Sequence, residues 1–319
     1  MSAVAVIGRG VVGQRITRRL PTVIDGVTLV DHDPRSGRDL PAHVTVAVLA
    51  HAGAHCELAR RLVERGVAVV SVSDDLADVR SMLDLDDHAR ASGVPLVVGA
   101  GMDPGLTGLL ARRSVSTLAT YDEIHVAIHG TAGPACARRH HRALSGRALG
   151  FHDGDWVQPT AGSGRELCWF PEPVGAYDCY RAEMASALLL HHSFADADRI
   201  SARMSANRRD RFTAWLPMLS PPHREGGVGA VRVEVRGTDA SGARMTSIVG
   251  IAELVGTATA ATASAFAVQA LHARLPSGAV RAGDAALDTT AMLRTVSQLG
   301  VRLQEFTGVP STQRISANP

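Results

Sequence analysis

The chain has 319 residues, 45% of them hydrophobic, which is enough to bury a substantial core and makes two domains the expectation from size. Its 33 basic and 31 acidic residues leave a formal net charge of +2, too weak a field to argue for nucleic acid or an anionic membrane surface. The expected partners are therefore small molecules or another copy of the chain, a homodimer being the commonest default.

The opening MSAVAVIG has no basic region before it and is cut short by Gly8 and Arg9, so neither a secretory signal nor a membrane anchor is expected. Cys56, Cys136, Cys168 and Cys179 form no CxxC pair. Reduced thiols in a cytoplasmic protein, and no metal site, are the expectation.

AVAVIG reads as a buried strand running into GRGVVG, and QRITRRL continues as a helix. Gly8, Gly10 and Gly13 fit GxGxxG, in which the first glycine makes the tight turn, the second admits a pyrophosphate and the third lets helix and strand pack. Arg9, Val11 and Val12 fill the same turn, at a helix N-terminus whose unpaired N–H groups suit an anion. A second strand, VTLVDHD, places Asp31 18 residues past Gly13, where an acid meets the adenosine ribose hydroxyls. That favours NAD, while Arg35 just beyond leaves room for the 2′-phosphate of NADP.

Strand and helix keep alternating through VTVAVLA, CELARRLVERG, VAVVSVS, DLADVRSMLDLDDHARASG and VPLVVGAG, the rhythm of a doubly wound parallel sheet. Ligands sit at the carboxyl ends of such strands, which nominates Ala50, His51, Ser71 and Ser73 as further cofactor contacts. His51 and His55 stand four apart beside Cys56 but start in a loop and lack the glutamate of an HExxH site.

A second glycine-rich turn, VVGAGMDPGLTG, closes this run, and beyond Gly105 the rhythm stops. Gly101 and its neighbours would let the backbone bend close to the nicotinamide half of the cofactor, while Pro104 stiffens the exit. GMDPGL at Gly101 to Leu106 resembles the GxDPG or GxAPG of the saccharopine dehydrogenase and reductase group. VAVLAHAGAHCELARRLVERGVAVVSVSDD and the late VRVEVRGTDASGARMTSIVG extend the resemblance, more loosely, over nearly the whole chain. It implies an NAD(P)-dependent oxidoreductase that makes or breaks a carbon–nitrogen bond of amino-acid substrates, with an α+β domain over the nicotinamide and Asp103 at its border. Thr107 and Gly108 stand where saccharopine reductases commonly continue with Asp-His, which argues against saccharopine itself as substrate.

In the second half, YDEIHVAIHG alternates Ile124, Val126 and Ile128 with His125, Ala127 and His129, a half-buried strand. GTAGPACARRHHRALSG gathers Arg138, Arg139, His140, His141 and Arg142. Guanidinium forks suit a carboxylate, and a histidine suits the proton that accompanies hydride transfer, so Arg138 is a substrate-binding candidate and His140 or His141 a catalytic one. The alternative is a solvated helix start. Adjacent histidines point apart, so at most one of them reaches a cleft. Tyr177, Asp178 and Arg181 form the densest polar and aromatic group, with Arg181 a second carboxylate holder, Tyr177 beside it and Asp178 orienting a histidine. Trp156, Trp169 and Phe170 either line a pocket or pack under a long loop. ISARMSANRRDRFTAWLPML reads as an arginine-rich helix without a nucleic-acid motif. VRVEVRGTDASGARMTSIVG reads as a hairpin, followed by an alanine- and threonine-rich helix, a closing GVRLQEF strand and a mobile STQRISANP tail.

The expected architecture is α/β: a Rossmann-like domain over 1–114, an α+β substrate or dimerisation domain over 115–285, and a segment over 286–319 returning to the first. Two rival readings stay open, a homoserine- or hydroxy-acid-type dehydrogenase and a non-catalytic dinucleotide-binding sensor or partner protein.

Overall fold

A computed structural model describes residues 3–33 and 40–305 of the chain. Arg35 and the STQRISANP tail lie outside these residues.

The first half builds β1 (Ala3–Ile7), α1 (Val11–Arg19), β2 (Thr28–His32), β3 (Val44–Leu49), α2 (Cys56–Glu64), β4 (Ala68–Ser71), α3 (Leu76–Leu83), α4 (Asp86–Ala91) and β5 (Pro95–Val98). Sequences such as AVAVI and AVVS are buried along their whole length, because a parallel sheet is covered by helices on both faces. The second half adds α5 (Leu106–Val115), β6 (Thr120–His129), α6 (Pro134–Ala143), β7 (Gly150–His152), β8 (Asp155–Val157), β9 (Glu166–Phe170) and β10 (Gly175–Arg181). It continues with α7 (Ser186–Ser193), β11 (Arg199–Ser205), α8 (Arg208–Thr213), β12 (Val228–Thr238), β13 (Arg244–Leu254), α9 (Val255–Leu271), β14 (Gly278–Val280), α10 (Thr289–Gln298) and β15 (Gln304–Glu305).

Six parallel strands in the order β14-β5-β4-β3-β1-β2 form the first sheet. The second is a mixed nine-stranded sheet with the path β15-β13-β12-β6-β11-β10-β9, to which β7 and β8 attach beside β11. This is a Rossmann-like α/β fold with a second, α+β layer. One face of the second sheet, carrying Ile124, Val126, Ile128, Val231, Val233 and Val235, joins the main core with α5 and α9. Its opposite face is a charged ladder, in which Arg203 pairs with Glu166 at 2.6 Å and Arg236 with Glu234 at 2.6 Å and Glu123 at 2.9 Å.

α9 is buried from Val255 to Gln269, as a helix that is apolar all round must be, and its small side chains let it lie against α1. β14, which falls within the span assigned to 115–285, pairs in parallel with β5 and extends the first sheet. Residues 255–280 therefore pack with the parallel sheet, and α10 packs on α9 and α5.

The arginine-rich segment expected to be a helix is a strand first. Ile200, Ala202 and Met204 of β11 are buried and pair with β6, while Arg199 and Arg203, on the alternate positions, face the charged ladder. Only Arg208–Thr213 is helical.

Candidate functional site

A cleft of about 1220 Å³ runs along the carboxyl ends of β1, β3 and β4 and is walled on its far side by α6. Its floor is backbone. Gly8 has φ +130, and a Cβ there would stand 2.6 Å from the backbone of Ala50 and His51. A Cβ on Gly13 would lie 1.8 Å from the Gly8 carbonyl oxygen, so glycine is what lets α1 approach β1. Above Gly10 nothing lies within 4 Å. Gly10 is also the N-cap of α1, which has no side-chain cap and no acidic residue in its first turn. Open space over uncapped N–H groups is what a pyrophosphate requires, and the residues fit a dinucleotide.

Gly8, Arg9, Gly10, Val11, Val12, Ala50, His51, Ser73 and Gly101 all line the cleft. Gly13 lies beneath it, in the packing role just described. One cofactor assignment needs correction. Ser71 is fully buried under the floor, its hydroxyl 2.8 Å from His55 Nδ1, so it does not reach the cleft. Asp31 is exposed at the end of β2, where it accepts from Nε of the cleft-lining Arg9 at 3.1 Å, and Asp33, two residues on, lines the cleft as well.

The histidine pair has a structural division of labour. His55 Nε2 donates to the His51 carbonyl at 3.0 Å, leaving Nδ1 to accept from Ser71. Burial, helped by His51, pushes His55 down to about 4, so it stays neutral. Its backbone N–H and that of Cys56 donate to Asp78. His51 turns Nδ1 to the Ala52 carbonyl, and its buried Nε2 has no partner among the described residues.

At the inner end the second glycine-rich turn closes on itself. The N–H of Gly101 donates to Pro104 O at 2.8 Å and that of Leu106 to Gly101 O at 2.9 Å, which needs φ +137 at Gly105. The turn presents Asp103 to the cleft, with Ser186 at the start of α7 donating to Oδ2 and Thr107 to Oδ1 at 2.8 Å. Burial pushes the Asp103 carboxyl up, against the pull of these two hydroxyls and of His140. Thr259 of α9 braces the turn by accepting from the Met102 N–H at 3.1 Å.

α6 supplies the charged wall. Cys136 and His140, four apart, share the face that meets the end of β4. His140 Nε2 lies 3.4 Å from Asp74 Oδ2 and 3.7 Å from Cys136 Sγ. Burial disfavours its charged form, but Cys136 and Asp74 outweigh that and push His140 up to about 10, so it carries a proton at neutral pH. Burial likewise opposes charge on Asp74, yet His140 and Arg139 hold it down at about 2. Arg139 clamps the helix by donating to Asp74 Oδ1 at 2.6 Å, to its carbonyl, and to Asp75 at 3.1 Å. Arg138 and Arg142 also line the cleft, exposed, and neither has an ion-pair partner among the described residues. The chain contains no lysine, so histidine is its one side-chain cation that can readily give up a proton.

The other nominated residues are elsewhere. His141 points away from the cleft, its Nε2 donating to the carbonyls of Thr213 and Leu216 at 3.1 Å, because one residue along a helix turns the side chain about 100°. Tyr177, Asp178 and Arg181 sit on β10, two strands from β6, and do not line the cleft. Tyr177 packs its ring 4.1 Å from His129, Asp178 pairs with Arg165 at 2.9 Å, and Arg181 lies against Gly164. Trp156 borders a separate cavity of about 520 Å³ with His191 and His192, while Phe170 is core. Asp74, Cys136 and Ser186 went unnominated. Asp74 alone had a signal, as an acid just past the end of β4.

No family model matches the chain, and no curated protein does either. Solved structures do match in fold. Saccharopine dehydrogenase (L-Glu forming) from Saccharomyces cerevisiae, in its apo form, superposes with a TM-score of 0.65 at 11% identity, over 96% of this chain and 99% of that one. An amine dehydrogenase from Mycobacterium smegmatis matches at a TM-score of 0.49, 14% identity, over 89% of this chain and 95% of that one. A DAP dehydrogenase from C. glutamicum in complex with DAP matches at 0.48 and 15%, over 91% and 95%. Among the described residues no helix is long and apolar enough to cross a membrane. The chain has the fold of saccharopine dehydrogenase, a Rossmann-like sheet joined to a mixed second sheet, over nearly its full length.

Proposed function

We propose that the chain is an NAD(P)-dependent oxidoreductase of the saccharopine dehydrogenase-like kind, acting on the C=N or C=O carbon of an amino-acid-derived carboxylate. The observation that carries this reading is the meeting of two unlike walls: a backbone cradle for a pyrophosphate, and a helix bearing a proton-holding histidine and two exposed arginines with no ion-pair partner among the described residues. The dinucleotide, when bound over Gly8 to Gly13, supplies the hydride.

The chain's own side chains do the rest. Arg138 and Arg142 give the substrate carboxylate its guanidinium partners. His140 Nε2 delivers the proton to the nitrogen or oxygen that gains charge as the hydride arrives, and Asp74 keeps the ring charged and oriented until then. Asp103, fixed by Ser186 and Thr107, borders the reacting carbon. A cleft without histidine or arginine would have favoured a non-catalytic sensor. NAD is the proposed preference, because the carboxylates of Asp31 and Asp33 lie at the carboxyl end of β2, where a 2′-phosphate would meet like charge. A homodimer and a cytoplasmic location, the latter on four unpaired thiols, complete the proposal. Light scattering on the purified chain tests the first.

The test of activity is NADH consumption with a panel of keto acids, each with and without ammonia or an amine, with products identified by mass. Turnover that needs the amine and collapses in His140→Ala supports the reading. Turnover of a plain keto acid alone moves the chain to the hydroxy-acid type. NADH binding without any consumption across the panel, or full activity in His140→Ala, overturns it.

A further inference from the structure

Three metal-binding atoms of different kinds converge in this cleft. Asp74 Oδ2, Cys136 Sγ and His140 Nε2 all lie within 4.8 Å of one another. The histidine nitrogen is 3.4 Å from the carboxylate oxygen and 3.7 Å from the sulfur. A tetrahedral zinc ion, with bonds of about 2.0–2.3 Å to oxygen, nitrogen and sulfur, separates its ligands by roughly 3.3–3.6 Å, so two of the three spacings are already close to those required.

The scaffold favours the same use. Cys136 and His140 project from one face of α6 at an i, i+4 spacing, and Asp74 comes from the loop after β4, so the ligands belong to two separately anchored elements. Arg139 occupies Oδ1 of Asp74 at 2.6 Å and leaves Oδ2 to the cluster, the orienting contact that bound carboxylates usually have. Its positive charge is offset by Asp75 at 3.1 Å. All three ligands line the cleft, which leaves a fourth position facing the cavity. Thiolate and imidazole together select a borderline ion such as zinc or cobalt over magnesium or calcium.

We propose that Asp74, Cys136 and His140 form a three-ligand site for a zinc-like divalent cation, and that its occupancy stops turnover. The first half rests on ligand geometry alone. The second rests also on the proposed role of His140, whose Nε2 has one lone pair and holds either a proton or a metal ion.

The experiment is a cobalt(II) titration of the full-length, chelator-treated protein, following the cobalt–thiolate absorption band. One equivalent should bind with the intense visible bands of a four-coordinate ion. Cys136→Ser should abolish the thiolate band while keeping the thermal midpoint, His140→Ala should weaken binding tenfold or more, and Cys56→Ser, altering the other cysteine at the cleft, should change neither. No thiolate band in the folded wild type, or a band that survives Cys136→Ser, overturns the site. With a substrate in hand, zinc should remove activity and chelator restore it. Cobalt binding at this site with undiminished turnover overturns the second half and counts against His140 as proton donor, leaving the site itself standing.

Discussion

The two walls of the cleft contrast in what they are made of and in how they can be damaged. The β1 side is shaped by glycines whose missing side chains fix the distance between chain segments. The α6 side is shaped by charged side chains that hold one another's protonation states. A binding surface for a constant ligand can be backbone, whereas proton transfer and carboxylate recognition need side chains that titrate or fork.

Substitutions on each wall sharpen this contrast. The largest effect is expected at His140, where alanine should lower kcat about 10²- to 10⁴-fold, the usual worth of a positioned acid, with NADH affinity little changed. His141→Ala, one residue away, should leave kcat nearly intact and lower the thermal midpoint instead, since that ring serves only the carbonyls of Thr213 and Leu216. Equal kcat losses in the two variants would erase the distinction between cleft and core on this helix.

On the glycine wall, Gly13→Ala should destabilise the fold by about 1–3 kcal/mol or more, because its methyl meets the Gly8 carbonyl and overpacking there cannot relax through a side chain. A denaturant titration reads that loss. The buried floor also titrates. An unfolded chain takes up a proton at the ordinary histidine value of 6.5, whereas folded His55 does so only near 4, so stability is fully present above 6.5 and falls as the pH drops toward 4. The loss reaches about 3 kcal/mol, and His55→Gln should flatten that part of the stability-against-pH curve. An unchanged slope in the variant would assign the acid sensitivity to other groups. Arg138→Ala is expected to raise KM about tenfold with a smaller change in kcat, while Arg181→Ala, outside the cleft, should alter neither.

How far each wall was legible in the sequence follows from the same contrast. Gly13 answers to Gly8 a few residues away, Gly8 to the end of a strand pairing with its own, and Gly10 to the open space above the turn, so the spacing alone announced the turn. GMDPGL was legible for a similar reason, since the Gly101 and Leu106 N–H groups bond within the turn, whereas the braces from Thr259 and Ser186 come from far along the chain and were not. The α6 wall depends on Asp74 meeting Arg139 and His140 across more than 60 residues of sequence, and nothing in SVSDD or ACARRHHR announces that meeting. Local density misled at β10: Tyr177, Asp178 and Arg181 look like a site in one dimension, but strand alternation and the neighbouring Arg165 and His129 absorb them into the second sheet. β11 was hidden for a related reason, its arginines belonging to the charged face of a strand whose buried face is only three residues deep.

The most direct test of the central claim compares wild type with Gly10→Val in a thermal-shift titration with NADH and NADPH. Space around Gly10 is open, so the variant should fold with an unchanged midpoint while its side chain fills the pyrophosphate position. The account predicts a concentration-dependent rise for the wild type, larger with NADH, and none for Gly10→Val, since a ligand raises the midpoint only by binding the folded state. No rise with either dinucleotide in the wild type, or the same rise in the variant, would contradict it.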